Sequence, residues 1–448
     1  MKKILVTLAI ALIGSLTMTT VEAADITVAA SDDLSQKIEG AASGDILLLE
    51  EGTYIGNITI DKDLTIKGEN KETTIIEGQI TVKNNLNLEG VTVVGKYVDN
   101  TYRNVVTITV PDLTVDITNC ILNVEGYVDG EDYKTGVAGV RVDRGSDSTQ
   151  LTIKDTEINS TYGVFVKSAS NNINIDNSEI NGWAALELSS NEGDINSLNE
   201  VLITNSVLTG TTYHPVIADN GNYYGVISIG SQKQLTLAFD NTTIQNKVIT
   251  DNRQDLILYN DYYEDNEETT VLLSNCKLIN NDENGESSVV NYGSEENTIG
   301  GNMLIVTPDT IITSKNDKNI ELVGENVLLT LSTTDGDVIL SVPKGTVITE
   351  DILDSQQMEI EGYIFGGWYT NDDYTDEFLA DTEINEDTVI YAKYTLIESS
   401  ENTNEEETQE ENPQTGDLNL GLMMFILSFA LVGGLYATYK IRLLKSRV

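Results

Sequence analysis

Between Asp25 and about residue 325, Ile, Leu, Val and Thr alternate with polar residues in short runs punctuated by Asn, Asp and Gly. Apolar residues at every second position mark half-buried strands, because successive strand side chains point to opposite faces. One early segment departs from this pattern. From Ser31 to Ala42, Leu34, Ile38 and Ala41 fall at helical spacing behind a serine that can cap a helix. The pattern predicts a short helix covering the first open edge of a sheet.

The strands repeat. Ile117-Thr118-Asn119-Cys120-Ile121-Leu122 shares its pattern with hexapeptides beginning at Ile153, Ile175, Ile203, Phe239 and Leu273, and more loosely with Leu88 to Val93. The fourth position falls at 91, 120, 156, 178, 206, 242 and 276, so one repeat takes 22 to 36 residues. Strand-rich repeats of this length with Asn turns predict a solenoid, and specifically a right-handed parallel β-helix, over residues 24–320. A second strand follows each repeat, as in Gly139-Val140-Arg141-Val142-Asp143, Gly163-Val164-Phe165-Val166-Lys167 and Ala185-Leu186-Glu187-Leu188. The stretch from Gly44-Asp45-Ile46-Leu47 through Gly52-Thr53-Tyr54 to Leu64-Thr65-Ile66-Lys67-Gly68 resembles the first coil of pectate-lyase-like β-helix proteins. That resemblance covers most of residues 25 to 325 and implies a fold, not an activity.

The spacing also disposes of the two cysteines. Cys120 and Cys276 share one slot five coils apart. At about 4.8 Å per coil, the thiols lie roughly 24 Å from each other, too far for a disulfide.

Segments between first and second strands vary in length: 95–104, 123–138, 208–224, 245–254 and 279–288. All leave the coil at one corner, so they line one long edge of the solenoid, and loops on a rigid scaffold are where binding concentrates. Tyr127, Tyr133, Tyr213, Asp219, Tyr223 and Tyr224 lie in them and are the candidate ligand-binding residues. A tyrosine offers a flat apolar face and a hydroxyl, which suits a sugar ring or a protein pocket.

From about Asn326 the pattern changes. Gly362-Tyr363-Ile364-Phe365-Gly366-Gly367-Trp368-Tyr369, then Phe378, Thr382, Ile384, Asp387 and Val389-Ile390-Tyr391-Ala392-Lys393-Tyr394, resemble the internalin-type B-repeat. The resemblance implies a small β-grasp-like domain over 326–395, of a kind found in bacterial surface proteins as a spacer or partner-binding unit. Trp368, Tyr363, Phe365 and Tyr391 are expected to form its core.

Both ends read as processing signals. Lys2 and Lys3, an apolar run from Ile4 to Ile13 and Val21-Glu22-Ala23 describe a secretory signal peptide over residues 1–23. Residues 396–411 contain seven Glu among Ser, Thr and Asn, which predicts a disordered, extended stalk. Asn412-Pro413-Gln414-Thr415-Gly416 is followed by an apolar stretch from Leu418 to Tyr439 and then Lys440, Arg442, Lys445 and Arg447. This order resembles the cell-wall sorting signal of Gram-positive surface proteins, with Asn412 where leucine is usual. The resemblance implies cleavage after Thr415 by a sortase, attachment to peptidoglycan, and contact with the membrane only through the helix of 412–448 before sorting.

Charge narrows the partners. With 72 acidic against 26 basic residues and a net charge of −46, the chain is unsuited to nucleic acid. No motif calls for a cofactor, and so acidic a surface can attract divalent cations, calcium among them.

The fold resemblance brings in pectinolytic enzymes, whose catalytic motifs are specific. Glycoside hydrolases of that kind use Asn-Thr-Asp, Asp-Asp, Gly-His-Gly and Arg-Ile-Lys. Within the β-helix only Asp32-Asp33 matches, and the chain's single histidine, His214, lies in Tyr-His-Pro. The nearest lyase-like constellation is Arg141, Asp143, Lys167 and Glu187, projecting outward while Val140, Val142, Val164, Val166, Leu186 and Leu188 take the inward sites. Cross-coil salt bridges account for it equally well. The sequence favours a non-catalytic adhesin recognising a glycan or host surface protein on the cell wall. The alternative is a surface-anchored polysaccharide lyase or glycoside hydrolase.

Overall fold

The computed structural model describes residues 23–396 except 96–103, 125–136, 190–196, 212–224, 248–253, 260–267, 292–302, 354–359 and shorter pieces between 231 and 362. Within that range the chain coils through three parallel sheets, taking one strand from each in turn. The first sheet begins with Asp25–Val28 and the coil's contribution to it ends with Met303–Val306. The second runs from Gly52–Ile55 to Ile311–Ser314, and the third from Ile58–Ile60 to Ile320–Glu321. This is the parallel β-helix expected from the repeat.

Identical positions of successive coils stack in register, and the inward ones build the core. Leu47, Ile66, Leu88, Ile117, Ile153, Ile175, Ile203, Phe239, Leu273 and Val306 form one such column along the first sheet. All are buried. The column belongs to one continuous apolar core that runs the length of the coil. Because each coil contacts only its neighbours, the core is a stack rather than a ball.

The repeat signature has a structural reason at its third and fourth positions. Asn119, Asp155, Asn177, Asn205, Asn241 and Asn275 all have φ between 46° and 53°, turning the chain from the first sheet to the second. Asn and Asp tolerate this left-handed conformation better than other non-glycine residues. The fourth position is buried and polar. Oγ1 of Thr156 accepts the Cys120 N–H (3.2 Å) and donates to the Lys154 carbonyl (2.8 Å). Ser178 does the same for Thr156 N–H, and Ser206 for Ser178 N–H. Thr310 extends the series by accepting the Cys276 N–H, a rung beyond the last hexapeptide. Cys120 and Cys276 are buried free thiols in this hydroxyl column, each donating to the carbonyl two residues back.

The glycines that open the second strands are sterically required. A Cβ at Gly163 would lie 2.2 Å from Ile180 Cγ2 and 2.3 Å from the Ala185 carbonyl oxygen.

The helix spans Leu34–Gly40 and is capped by Asp33, not by the expected serine; Asp33 Oδ1 accepts the Gln36 N–H. Leu34 and Ile38 are buried, and the helix packs on Ile58–Ile60, the open end of the third sheet. Lys62 Nζ donates to the carbonyls of Glu39 and Ala41, serving the last turn's unpaired acceptors.

The region from Asn326 forms a mixed sheet. Asn326–Thr333 pairs antiparallel with Gly336–Pro343 and parallel with Thr388–Leu396, whose other side carries Tyr363–Tyr369 antiparallel. Trp368, Phe378, Ile384, Ile390 and Ala392 are in its core, with Phe365 and Tyr394 packed against it. Two expected core residues are not. Tyr363 lies beyond the core's edge, 45% exposed, and Tyr391 is half-buried because its strand alternates and Ile390 takes the inward side.

Candidate functional site

All five long segments singled out in the sequence join a strand of the second sheet to one of the third, so they do share a corner. Their stems are described even where their middles are not. Asn246 Nδ2 donates to the Gln254 carbonyl (2.9 Å), closing the neck of one connection. Asn280 Nδ2 does the same to the Ser287 carbonyl (2.7 Å) one coil on. These asparagines are buried and hydrogen-bonded to each other. The opposite ends of the third sheet's later strands also lead into long connections, at 189–197, 260–267 and 292–302. The sequence reading missed this second series. The third sheet's outer face is therefore bordered by variable chain on both sides.

On that face Thr107, Arg141, Phe165, Glu187 and Ser228 occupy one row, each paired with the next. Asp143 and Lys167 follow the paired Val142 and Val166 directly. Arg141 forks onto Asp143 Oδ1 through Nη2 (2.8 Å) and Nε (3.1 Å). This ion pair lies within one coil rather than across coils. The Arg141 guanidinium is 5.4 Å from the Phe165 ring centroid and Lys167 Nζ is 4.6 Å from it. Tyr162 meets the same ring at 5.0 Å, over Ala138 and Ala184. The structure thus gathers all four residues of the lyase-like constellation and adds Phe165 and Ser228. Alternation could have found both, because each stands between two inward-pointing neighbours.

The electrostatics follow from burial. Glu187 is only 8% exposed, and burial pushes its carboxyl up to about 8, against a hydrogen bond with Ser228 and the charge of Lys167. Its Oε2 has no hydrogen-bond partner among the described residues. Burial, then the charges of Arg141 and Arg144, lowers the Lys167 ammonium. For Asp143, burial acts upward, but bonds from Arg141 and the Arg144 backbone and the nearby cations outweigh it and hold the carboxyl low. Chemically, the row offers two cations and a carboxyl that is largely neutral at pH 7, in a chain whose net charge is −46. Such a set favours an oxyanion.

Asp32 and Asp33 are structural: Asp32 binds Lys37 and the Ala29 N–H while Asp33 caps the helix. Tyr127, Tyr133, Tyr213, Asp219, Tyr223, Tyr224, His214 and the segment Asn412 to Gly416 lie outside the described residues. Among the described residues, no three His, Cys, Asp or Glu side chains group as metal ligands, and no helix is long and apolar enough to cross a membrane. The apolar stretch from Leu418 to Tyr439 is not among them.

Fold and face together define a parallel β-helix with a cation-bearing outer sheet. Residues 330–393 match the family described as the Listeria-Bacteroides repeat domain. Solved structures with a similar trace include a PL6 family alginate lyase, at TM-score 0.36 and 16% identity, covering 63% of this chain and 40% of that one. Pectin methylesterase PemA from Erwinia chrysanthemi is similar at TM-score 0.36 and 12% identity, covering 68% and 94%. ORF18 of Geobacillus virus E2 follows at TM-score 0.27 and 14% identity, covering 64% and 62%. This chain spans well under half of the alginate lyase, and likenesses this distant carry no activity across. No curated protein matches the chain in sequence.

Proposed function

We propose that this chain is an adhesin of the Gram-positive cell surface. It is exported by its signal peptide, joined to peptidoglycan through Thr415, and binds a glycan or host surface protein without cleaving it. The observation that carries this reading is the set of loop stems. Long, variable connections leave a rigid solenoid at one corner, and buried asparagines pin two of their necks. Such anchoring gives loop residues a fixed base, as a recognition surface needs. Tyr213, Tyr223 and Tyr224 are the contact residues to test. On a glycan array and a host-protein panel, the full chain should retain a ligand that the triple Tyr→Ala variant loses while keeping its fold. Retention unchanged in that variant would refute this site. Wall attachment is tested separately: the protein should resist hot detergent and leave cells only after wall digestion.

A lyase reading is favoured by one observation, the gathering of Arg141, Lys167 and Glu187 beside Phe165. It requires Lys167 or Arg141 to reach a sugar-ring proton. Release of unsaturated products from an acidic polysaccharide, abolished in Lys167→Ala, would replace the adhesin reading with this one.

A further inference from the structure

The outer row of the first sheet changes character along the rod. Thr152, Asn174, Leu202, Ala238, Leu272 and Ile305 follow one another across the ladder. The first two are polar, as a solvated sheet face should be, and the other four are apolar. An outward row turns apolar where something covers it. Ile305 is 5% exposed, although it faces away from the coil's own core. It belongs instead to the core of the repeat domain, with Leu340, Trp368 and Ile390, and Leu272 packs against that same core.

The backbone makes the same connection. Met303–Val306, the coil's last strand in the first sheet, pairs antiparallel with Gly336–Pro343, in the register Leu304 to Ser341, Ile305 to Leu340 and Val306 to Ile339. The first sheet therefore continues without a break into the repeat domain and ends at Tyr363–Tyr369, fifteen strands in all. A coil that stopped at Val306 would leave a row of unpaired backbone groups, a template for unwanted pairing. A domain of some 70 residues, for its part, has barely enough core to stand alone.

We infer that residues 326–396 are the C-terminal cap of the β-helix, docked on an acceptor surface made by Leu272, Ile305 and the strand Met303–Val306. Rod and repeat domain then form one cooperative unit. This gives the Listeria-Bacteroides repeat a role other than a flexible spacer: it closes the end of the solenoid, and the solenoid completes its core. Solenoids need terminal units unlike their repeats for the same reason. At the other end the helix Leu34–Gly40 performs this service, so the rod is closed by two unrelated devices.

The chain contains two tryptophans, and they fall one on each side of the junction: Trp183 is buried in the rod and Trp368 in the repeat domain. Full-chain variants Trp183→Phe and Trp368→Phe each leave one reporter. Thermal unfolding followed by fluorescence should give coincident transitions for the two. Ile305→Ser, a substitution in the rod, should lower the Trp368 transition and the Trp183 transition together, by at least about 3 °C. Leu379→Ser, at an exposed position of the repeat domain, should move neither. If Ile305→Ser does not fold, Ile305→Val should shift both transitions by less and in the same direction. Hydrogen exchange of the unsubstituted chain supplies the control free of tryptophan changes, with strands Gln234–Asp240 and Thr388–Leu396 losing protection together. Two well-separated transitions, or an Ile305 variant that moves only one reporter, would overturn the inference.

Discussion

Phe165 pairs with Glu187 across neighbouring strands of the third sheet, so a ring carrying two cations lies beside a buried carboxyl, one oxygen of which has no partner among the described residues. Burial opposes ionisation, and only Ser228 and Lys167 favour it. The folded carboxyl titrates near 8 against an ordinary value of 4.5. Through that interval the unfolded chain has already released the proton that the folded chain keeps. Stability therefore falls as pH rises from about 4.5 to about 8, then levels.

Glu187→Gln removes this burden while keeping the shape. The melting temperature of the variant should exceed that of the unsubstituted chain by about 3 °C or more at pH 8, and match it near pH 4. Equal melting temperatures at both pH values would mean that Glu187 is paired in solution.

The hydroxyl column makes a second prediction. Thr156→Val keeps shape and branching but leaves the Cys120 N–H, 3.2 Å from Oγ1, without an acceptor inside the core. Orphaning a buried donor costs about 1–3 kcal/mol, read as a lower denaturant midpoint. Cys276→Ser puts a hydroxyl where the neighbouring coils already have one and should change stability by less than about 1 kcal/mol.

Much of this architecture was legible in the sequence, and the reasons are physical. Period-two alternation gives the facing of every strand, so Arg141 and Glu187 were placed outward and Val140 and Leu186 inward. The hexapeptide fixes the register because its third residue must adopt a left-handed turn and its fourth must bond inside the core. Alternation says which way a residue points but not what covers it. Leu272 and Ile305 looked like any strand residues, and their cover comes from a domain tens of residues away. Tyr363 failed for the related reason that an aromatic residue beside a core motif can lie past the core's edge. The cap of the helix moved from Ser31 to Asp33 because two acidic residues stood within a turn of the start, and side-chain geometry alone chose between them.

The turn residues supply a third test. Asn241 has φ 47°, where a Cβ crowds the following carbonyl, and Gly, Asn and Asp bear this best. Asn241→Ala should cost about 1–2 kcal/mol, and Asn241→Gly should recover most of it in urea unfolding. Equal losses for both would assign the effect to the hydrogen bond from Asn241 Nδ2 to Asn205 Oδ1 instead.

The thiols should be silent in the folded chain. Burial, partly offset by backbone hydrogen bonds, pushes the Cys120 thiol up to about 11, and only the thiolate attacks alkylating reagents. Iodoacetamide at pH 8 should label neither Cys120 nor Cys276 in the native state and both in urea. A linked Cys120–Cys276 peptide under non-reducing conditions would contradict the coil register, which sets them five coils apart.

Acid should open the rod from its N-terminal end. Asp45 is buried, and its two oxygens accept the N–H groups of Ala24 (2.9 Å) and Ala42 (2.7 Å), tying the first strand to the segment after the helix. Those two bonds hold its carboxyl below the ordinary value of 3.8. A depressed carboxyl contributes stability that is present above the unfolded value and is lost as pH falls through the folded one. The strand it ties, Asp25–Val28, is the terminal member of its sheet among the described residues, paired there with Ile46–Leu49 alone. In a stacked solenoid, a fault at the end stays at the end unless it propagates coil by coil. Below about pH 4, hydrogen exchange should therefore rise first at Asp25–Val28, while strands such as Asn172–Asp176 keep their protection. Asp45→Ala should produce the same pattern at neutral pH. Uniform loss of protection along the rod in that variant would show the N-terminal clamp to be part of the global unit rather than a local fastening.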